Sequence, residues 1–493
     1  MLSGKKNRVS RTTEQNVSAH NSYESVRTQP SDTPKDIQAR LQPRDPKVMS
    51  TRSYEPHDKT EKNTDLVKRG PAGRKILIAT AVYHPMVNGV AVFSHNLALG
   101  LAKRGNQVLV VCPSQTGKSY EKEEDGVRVC YLKSVAAKVY PDQIHKVPEA
   151  KRFLGVKWPR FFYKHGFRVS LFPAKEISRI LDEFRPDIVH IQVSDSIGLS
   201  VASYARKHKI PIITTEHNQP EVITEPLKVP KVAKKPLDAV LRAYFINRQS
   251  KSDFVTMPTE KAISDLLLAR GREFPVPVMA VSNGVDLAKF KPGLGSEEIY
   301  KKYKISKETP IVLYVGRVDP EKEVGKVIRA YEMAVREVPE AKLLIVGDGV
   351  DKVNLEKMIK KRGLGDKVKF LGRITPPDLY ELYRVGSVFV TASEVETQGI
   401  VLIEAAATGL PLVAVDAGAV GEICRTGENG FLCQPGNIKE MSEGIRRILT
   451  DKKLRDKFSK KSIILANEHD LEKTIDKFIA IYDQVIKISS EKD

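Results

Sequence analysis

From Lys75 onward the apolar residues fall in short runs separated by longer segments of mixed polarity, the texture of strands alternating with helices. The runs Ile76–Ala79, Val108–Val111, Asp187–Val193, Ile210–Thr215 and Phe254–Met257 predict buried strands, with a helix over Ser94–Arg104 between the first two. After Ser282-Asn283-Gly284-Val285-Asp286 the chain is polar to about Ser306. The alternation then restarts at Ile311–Val315 and continues at Leu343–Val346, Val368–Leu371, Val388–Val390 and Leu412–Val415. Strands alternating with helices argue for parallel sheets covered on both faces, so the expectation is an α/β protein of two doubly wound domains, 73–285 and 286–469, facing each other across a cleft. Leu471, Ile475, Phe478, Ile479, Ile481 and Tyr482 mark a terminal amphipathic helix, expected within 470–493 to complete the first domain.

Residues 1–72 lack this periodicity. They are rich in Ser, Thr, Asn, Gln, Pro and charge, too poor in apolar surface to offset the entropy of ordering, and are expected to form a disordered tail. The whole chain of 493 residues carries a formal charge of +20, which implies an acidic partner: nucleic acid, an anionic membrane surface or a phosphorylated small molecule. Cys112, Cys130, Cys424 and Cys433 have no close metal-ligand spacing and read as reduced core residues. No apolar run approaches the roughly 18 residues that span a bilayer, and the N-terminus has no apolar signal region. The expected location is cytoplasmic.

Candidate chemistry gathers where strands end, the place where open α/β sheets bind ligands. The stretch Ser393 to Gly409 follows the strand Val388–Val390 and enters an Ala-rich helix, with Glu396 in the turn and Glu404 inside the helix. Gly399 allows close backbone approach, and the helix start offers N–H groups to a phosphate. Alternatively Glu396 only caps the helix and Glu404 is solvated, although the apolar Val401, Leu402, Ile403 and Ala405 around Glu404 make an unpartnered carboxylate costly. At the end of Ile311–Val315 stand Arg317 and Lys322, both able to reach a diphosphate, the first as a planar fork and the second as a point charge. Gly347 and Gly349 close the next strand and need be no more than a turn. Gly89, after the first strand, suits either an ordinary turn or an anion. His217, at the exit of Ile210–Thr215, is either a satisfied structural group or a sugar-hydroxyl partner.

Taken together, Gly316-Arg317 through Lys322, Glu396 through Glu404, the Asn283-Gly284-Val285-Asp286 turn and the Asn88-Gly89 loop resemble the retaining glycosyltransferases of family 4, which have the GT-B fold. The resemblance runs from Lys75 to the C-terminus. It implies two Rossmann-like domains, the second holding a nucleotide-sugar. Arg317 and Lys322 would bind the diphosphate, Glu404 the ribose and Glu396 the transferred sugar. Gly399 and Ile400 would present backbone amides, Gly89 would close the phosphate site, and His217 would contact the sugar. It further implies a metal-independent reaction with no cofactor beyond the donor, UDP-glucose first and GDP-mannose second. Family members commonly carry two adjacent glycines where this chain has Asn88-Gly89, a variant that resembles the lipid-glycosylating branch. The form Glu396-Thr397-Gln398-Gly399 likewise resembles diacylglycerol glucosyltransferases and related lipid mannosyltransferases, which implies a lipid acceptor. A soluble or polysaccharide acceptor is the alternative.

The position of the charge bears on that choice. Residues 146–175 hold eight Lys or Arg against one acid, interleaved with aromatics, and residues 226–251 hold seven against one. Lys157, Trp158, Arg160, Phe161 and Lys164 lie in the first of these segments. Cations with interfacial aromatics suit an anionic membrane surface, at about 1 kcal/mol per Lys or Arg before screening. The expectation is therefore an enzyme held peripherally on the cytoplasmic face. Core aromatics under a solvated basic face would give the same pattern. Nucleic acid is not expected, since no recognisable nucleic-acid module accompanies the segments.

Overall fold

The computed structural model describes residues 73–86, 88–136, 152–153, 156–157, 168–192, 195–217, 231–267 and 274–491, with backbone alone at 152–153, 156–157 and 231–235. The first sheet has eight strands, ordered Val278–Ala280, Phe254–Met257, Ile212–Thr215, Ile188–Ile191, Lys75–Ala79, Gln107–Pro113, Val127–Leu132 and Tyr120–Glu124. The first seven are parallel; in the central register Leu77 lies opposite both Leu109 and Val189. The eighth runs antiparallel, a departure from the expected wholly parallel sheet. Its sequence, Tyr-Glu-Lys-Glu-Glu, has no apolar face to betray a strand. The turn Asp125-Gly126, with both φ values positive, folds it back as a hairpin onto the sheet edge, where charged side chains remain in water.

The second sheet is parallel throughout, in the order Val368–Gly372, Lys342–Val346, Ile311–Val315, Val388–Val390, Leu412–Val415 and Gly430–Cys433. Both sheets are buried on both faces, which explains why their central strands read as continuous apolar runs. All four cysteines are buried and free. In each sheet the order reverses once, beside Lys75–Ala79 in the first and between Ile311–Val315 and Val388–Val390 in the second. The loops leaving adjacent strands diverge at that point, opening a crevice.

The helix after the first strand spans Gly89–Lys103, five residues earlier than the apolar periodicity indicates. Asn88 is the reason: its side-chain oxygen accepts the Ala91 N–H at 2.8 Å and caps the first turn. The C-terminal helix Leu471–Ser490 returns to the first sheet, where Ile475, Phe478, Ile481 and Tyr482 enter the core beside Phe93 and Leu97. It packs closely on Gly89–Lys103, since a Cβ at Gly100 would stand 2.1 Å from Ile475 Cδ1. Arg104 pairs with Glu472 and Asp476 along the same contact.

Two chain crossings join the sheets, one outward through Val281–Asp286 and one back through His469–Leu471, and they bond to each other. Val285 N–H donates to His469 O at 2.8 Å and Leu471 N–H to Val285 O at 3.0 Å. Gly284 makes this possible, with φ of 71° and the Leu471 Cα only 2.7 Å from where a Cβ would stand. Gly284→Ala is expected to cost about 2–4 kcal/mol from strain plus backbone clash. Gly363→Ala, at φ of 65° but facing open space, should cost only about 1 kcal/mol. Denaturant melts of the two variants give the comparison, and equal losses would show that the crossings are not tightly packed.

Candidate active site

At the reversal point of the second sheet, the loop after Ile311–Val315 is laid against the loop after Lys342–Val346 by direct backbone contact. Gly316 N–H donates to Val346 O at 3.0 Å, and Val318 N–H to Asp348 O at 3.0 Å. A Cβ at Gly347 would stand 1.8 Å from Gly316 O, and one at Gly349 would stand 1.9 Å from Val318 O. These glycines therefore do more than turn the chain. They allow the strand-end loops to press together and orient the short helical turn Pro320–Lys322.

Lys322 leaves that turn toward the neighbouring strand end. Its Nζ lies 2.6 Å from Glu396 Oε1 and 3.2 Å from the buried Ser393 Oγ, with 17% of each ion-pair side chain exposed. Glu396 is braced from behind by the next strand's loop: Ala419 N–H donates to its carbonyl at 3.0 Å, and Gly418 has room for no Cβ there. Arg317 sits on the same turn but is engaged by carboxylates of its own loop, Asp319 at 2.5 Å and Glu321 at 2.7 Å. Asp319 in turn accepts the Val350 N–H at 2.9 Å.

Glu396 does not cap the following helix. That helix, Ile400–Ala407, begins at Gly399, which has φ of 77° and no side-chain cap. Glu404 lies one turn inside. Tyr383 Oη donates to its Oε2 at 2.6 Å, and the burial of the carboxyl pushes its pKa up to about 7 against the effect of that bond. The cost expected for a carboxylate among apolar neighbours is thus met in two ways, by a hydroxyl donor and by a raised proton affinity.

The first sheet presents its own strand ends to this place. The missing Cβ of Gly89 would lie 3.4 Å from Ile400 Cδ1, so two helix starts, Gly89 and Ile400, adjoin. Thr259 Oγ1 donates to Thr397 O at 3.0 Å, and Gln398 reaches the outward crossing at Ser282 and Asn283. His217 is placed differently from these open positions. It is buried, edge-on to Phe93, with Nε2 donating to Gln192 Oε1 at 2.7 Å. Burial holds its pKa down at about 3, so the imidazole is neutral and its Nδ1 unprotonated. Behind it His190 joins Thr215 at 2.6 Å and Tyr482 of the C-terminal helix at 2.7 Å.

Among the residues expected at a membrane or acceptor surface, Trp158, Arg160, Phe161 and Lys164 lie outside the described residues. For Lys157 the structure describes only backbone, in a two-residue strand with Val156.

A model of the glycosyl transferases group 1 matches residues 295–463, and one of glycosyltransferase family 4 matches residues 87–289. Together they take in every strand of the two sheets except Lys75–Ala79. The chain is a family 4 glycosyltransferase of the GT-B fold. The sulfoquinovosyl transferase of Arabidopsis thaliana is 28% identical over 338 residues, 66% of this chain and 63% of that protein, so the match spans less than two thirds of the relative. The alpha-monoglucosyldiacylglycerol synthase of Acholeplasma laidlawii is 27% identical over 72% of this chain and 84% of its own. Among solved structures, the sucrose-phosphate synthase of Thermosynechococcus elongatus superposes with a TM-score of 0.63 at 19% identity, covering 84% of this chain and all of that one.

In this glycosyltransferase the motif residues Lys322, Glu396, Gly399, Ile400 and Gly89 form one cluster, with Arg317 beside it and Glu404 a turn deeper. Sequence reasoning missed Tyr383, Thr259 and Gly418, and it quoted Gln398 only within the Glu396-Thr397-Gln398-Gly399 form, with no role of its own. Only Gly418 had a signal, as a glycine in the loop after a strand. The raised pKa of Glu404 gives a signed expectation. Below about pH 4.5 folded and unfolded chains both hold its proton. Between about 4.5 and 7 only the folded chain does, and above 7 the full penalty of roughly 3 kcal/mol applies. Glu404→Gln, which keeps an acceptor for Tyr383, should therefore gain stability over the wild type as pH rises from 4.5 to 8. A pH-independent difference in denaturant midpoints would contradict the burial.

Proposed function

We propose that the enzyme is a retaining hexosyltransferase that moves glucose from UDP-glucose to a membrane lipid, such as diacylglycerol or a glycolipid. GDP-mannose is the second donor. The observation that carries this reading is the Lys322–Glu396 pair at the sheet reversal, 2.6 Å apart and next to two adjoining helix starts. It offers a cation to a diphosphate and a carboxylate to sugar hydroxyls at one spot. Glu404 then accepts ribose hydroxyls, and Gly399 and Ile400 bring backbone amides to the phosphates. Gly89 leaves the first-sheet helix start open to the same anion. The neutral His217 orients the sugar as a hydrogen-bond partner and carries no charge into the cleft.

Bond cleavage places growing negative charge on the departing diphosphate. Lys322, the helix start at Ile400, and Arg317 once it trades a carboxylate partner for phosphate all lie where that charge forms, a stabilisation of several kcal/mol in a preorganised site. In this reading the protein's own cations do the neutralising, without a metal. The departing phosphate takes the acceptor's proton on the same face, so configuration is retained and neither glutamate forms a covalent bond.

The lipid acceptor is supported by the relative named as a monoglucosyldiacylglycerol synthase. Peripheral attachment to the cytoplasmic face is supported by the basic segment that contains Lys157, Trp158, Arg160, Phe161 and Lys164. Close after it in the chain come Leu171 and Phe172, the latter 93% exposed. Among the described residues no helix is long and apolar enough to cross a membrane.

A donor panel with extracted lipids, its products identified by mass, tests the assignment: a hexosyl-lipid from UDP-glucose is expected, and activity on soluble acceptors alone would overturn it. Lys322→Ala and Arg317→Ala should each lower turnover by roughly 100-fold without changing sedimentation with anionic vesicles. Replacing Lys157, Arg160 and Lys164 together with Glu should release the enzyme from phosphatidylglycerol vesicles. Undiminished sedimentation would remove the membrane role from that segment.

A further inference from the structure

The loop that carries Glu396 is fastened to the crossing between the two sheets by one side chain. Gln398 is buried, and both ends of its amide are used across the junction. Its Oε1 accepts the Asn283 N–H at 3.2 Å, and its Nε2 donates to Ser282 Oγ at 2.7 Å. Ser282 Oγ also accepts the Gly284 N–H at 3.1 Å, which leaves its own proton for His469 Nδ1 at 2.9 Å, on the returning crossing. Burial lowers the His469 pKa, in keeping with an imidazole that accepts at Nδ1. One hydroxyl thus ties together the outward crossing, the returning crossing and the sugar-facing loop. Thr259 supplies a further bond to the same loop at Thr397 O.

We infer that Gln398 is a positioning residue: through Ser282 and Asn283 it sets the attitude of the Glu396 carboxylate relative to the first sheet, and so couples the angle between the halves to the alignment of donor and acceptor. Lys322 and Arg317, the groups assigned to the diphosphate, stand on the loop after Ile311–Val315, where Asp319 and Glu321 hold Arg317 and Ser393 shares Lys322. Losing Gln398's bonds should impair transfer far more than nucleotide binding. A side chain that merely packs would instead lower binding, turnover and stability together.

The inference rests on the donor reading above only for its turnover arm. Gln398→Met keeps volume and removes both hydrogen bonds; Ser282→Ala breaks the same tie from the other segment by loss of one oxygen, and serves if the first variant folds poorly. With whichever donor the wild type uses, UDP-glucose or GDP-mannose, kcat is expected to fall about 10-fold in each, with the affinity for free UDP or GDP changed less than about twofold. The double variant should be no worse than the poorer single one, because both remove one interaction. Exchange of the Asn283 amide hydrogen, followed by mass spectrometry or NMR, should accelerate in Gln398→Met. Multiplying losses in the double variant, nucleotide affinity falling in step with kcat, or an unchanged Asn283 exchange rate would overturn the inference. A wild type that uses neither donor refutes the donor assignment, and the exchange rate still decides the tie.

Discussion

The ion pair between Lys322 and Glu396 is the contact around which the second half is arranged. It joins two loops that leave adjacent strands in opposite directions, so it exists only if both strand ends hold their positions to within a fraction of an ångström. The surrounding backbone supplies that constraint. Gly347 and Gly349 press one loop onto another, Gly418 leaves room for a supporting carbonyl, and Ser393 shares the lysine from beneath. None of these groups has chemistry of its own. Their contribution is to hold a charged pair, partly screened from water, at the sheet reversal.

Desolvation divides the titratable groups of the site between roles. His217 is buried and Glu404 partly so, and in both desolvation penalises the charged form, so the carboxyl holds its proton more tightly and the imidazole more loosely. Near neutral pH the imidazole is uncharged and the carboxyl is poised between its two forms. Lys322 and Glu396 stay closer to solvent as a mutually compensated pair. Among the described residues of the site, positive charge gathers on the loop bearing Arg317 and Lys322, beside the helix start at Ile400.

The junction between the sheets is narrow and polar, whereas each sheet has its own apolar cores. The C-terminal helix belongs by packing to the first sheet, and its return through His469–Leu471 pairs the two crossings. Gly284, Ser282 and Gln398 meet there, so the two crossings are linked to the loop that carries Glu396. A hydrogen-bonded junction suits this place better than an apolar one, because directional bonds specify an angle and apolar contact does not.

How much of this the chain announces in advance differs by level. Apolar runs marked the central strands of both sheets, because parallel strands buried on both faces admit almost nothing else, whereas Val127–Leu132, Val278–Ala280 and Gly430–Cys433, at or near the sheet edges, went unmarked. Charge and glycine placement picked out Arg317, Lys322, Glu396, Gly399, Glu404 and Gly89 as strand-end residues. The hairpin strand Tyr120–Glu124 was hidden, since an edge strand in water needs no apolar alternation. The early helix start at Gly89 was hidden because a capping asparagine acts through one local bond. Tyr383 and Thr259 carry no local signal, and the motif that contains Gln398 says nothing of its contacts: the three gain their partners 21, 138 and 116 positions away. The sequence by itself therefore determined the central strands and which of their ends carry candidate chemistry, since both follow from local periodicity and residue type. Only the tertiary structure decided which of those ends meet, that Lys322 pairs with Glu396 while Arg317 stays with its own loop, and that His217 lies buried and neutral. Pairing and desolvation are set by distances between segments far apart in the chain, and local pattern does not encode such distances.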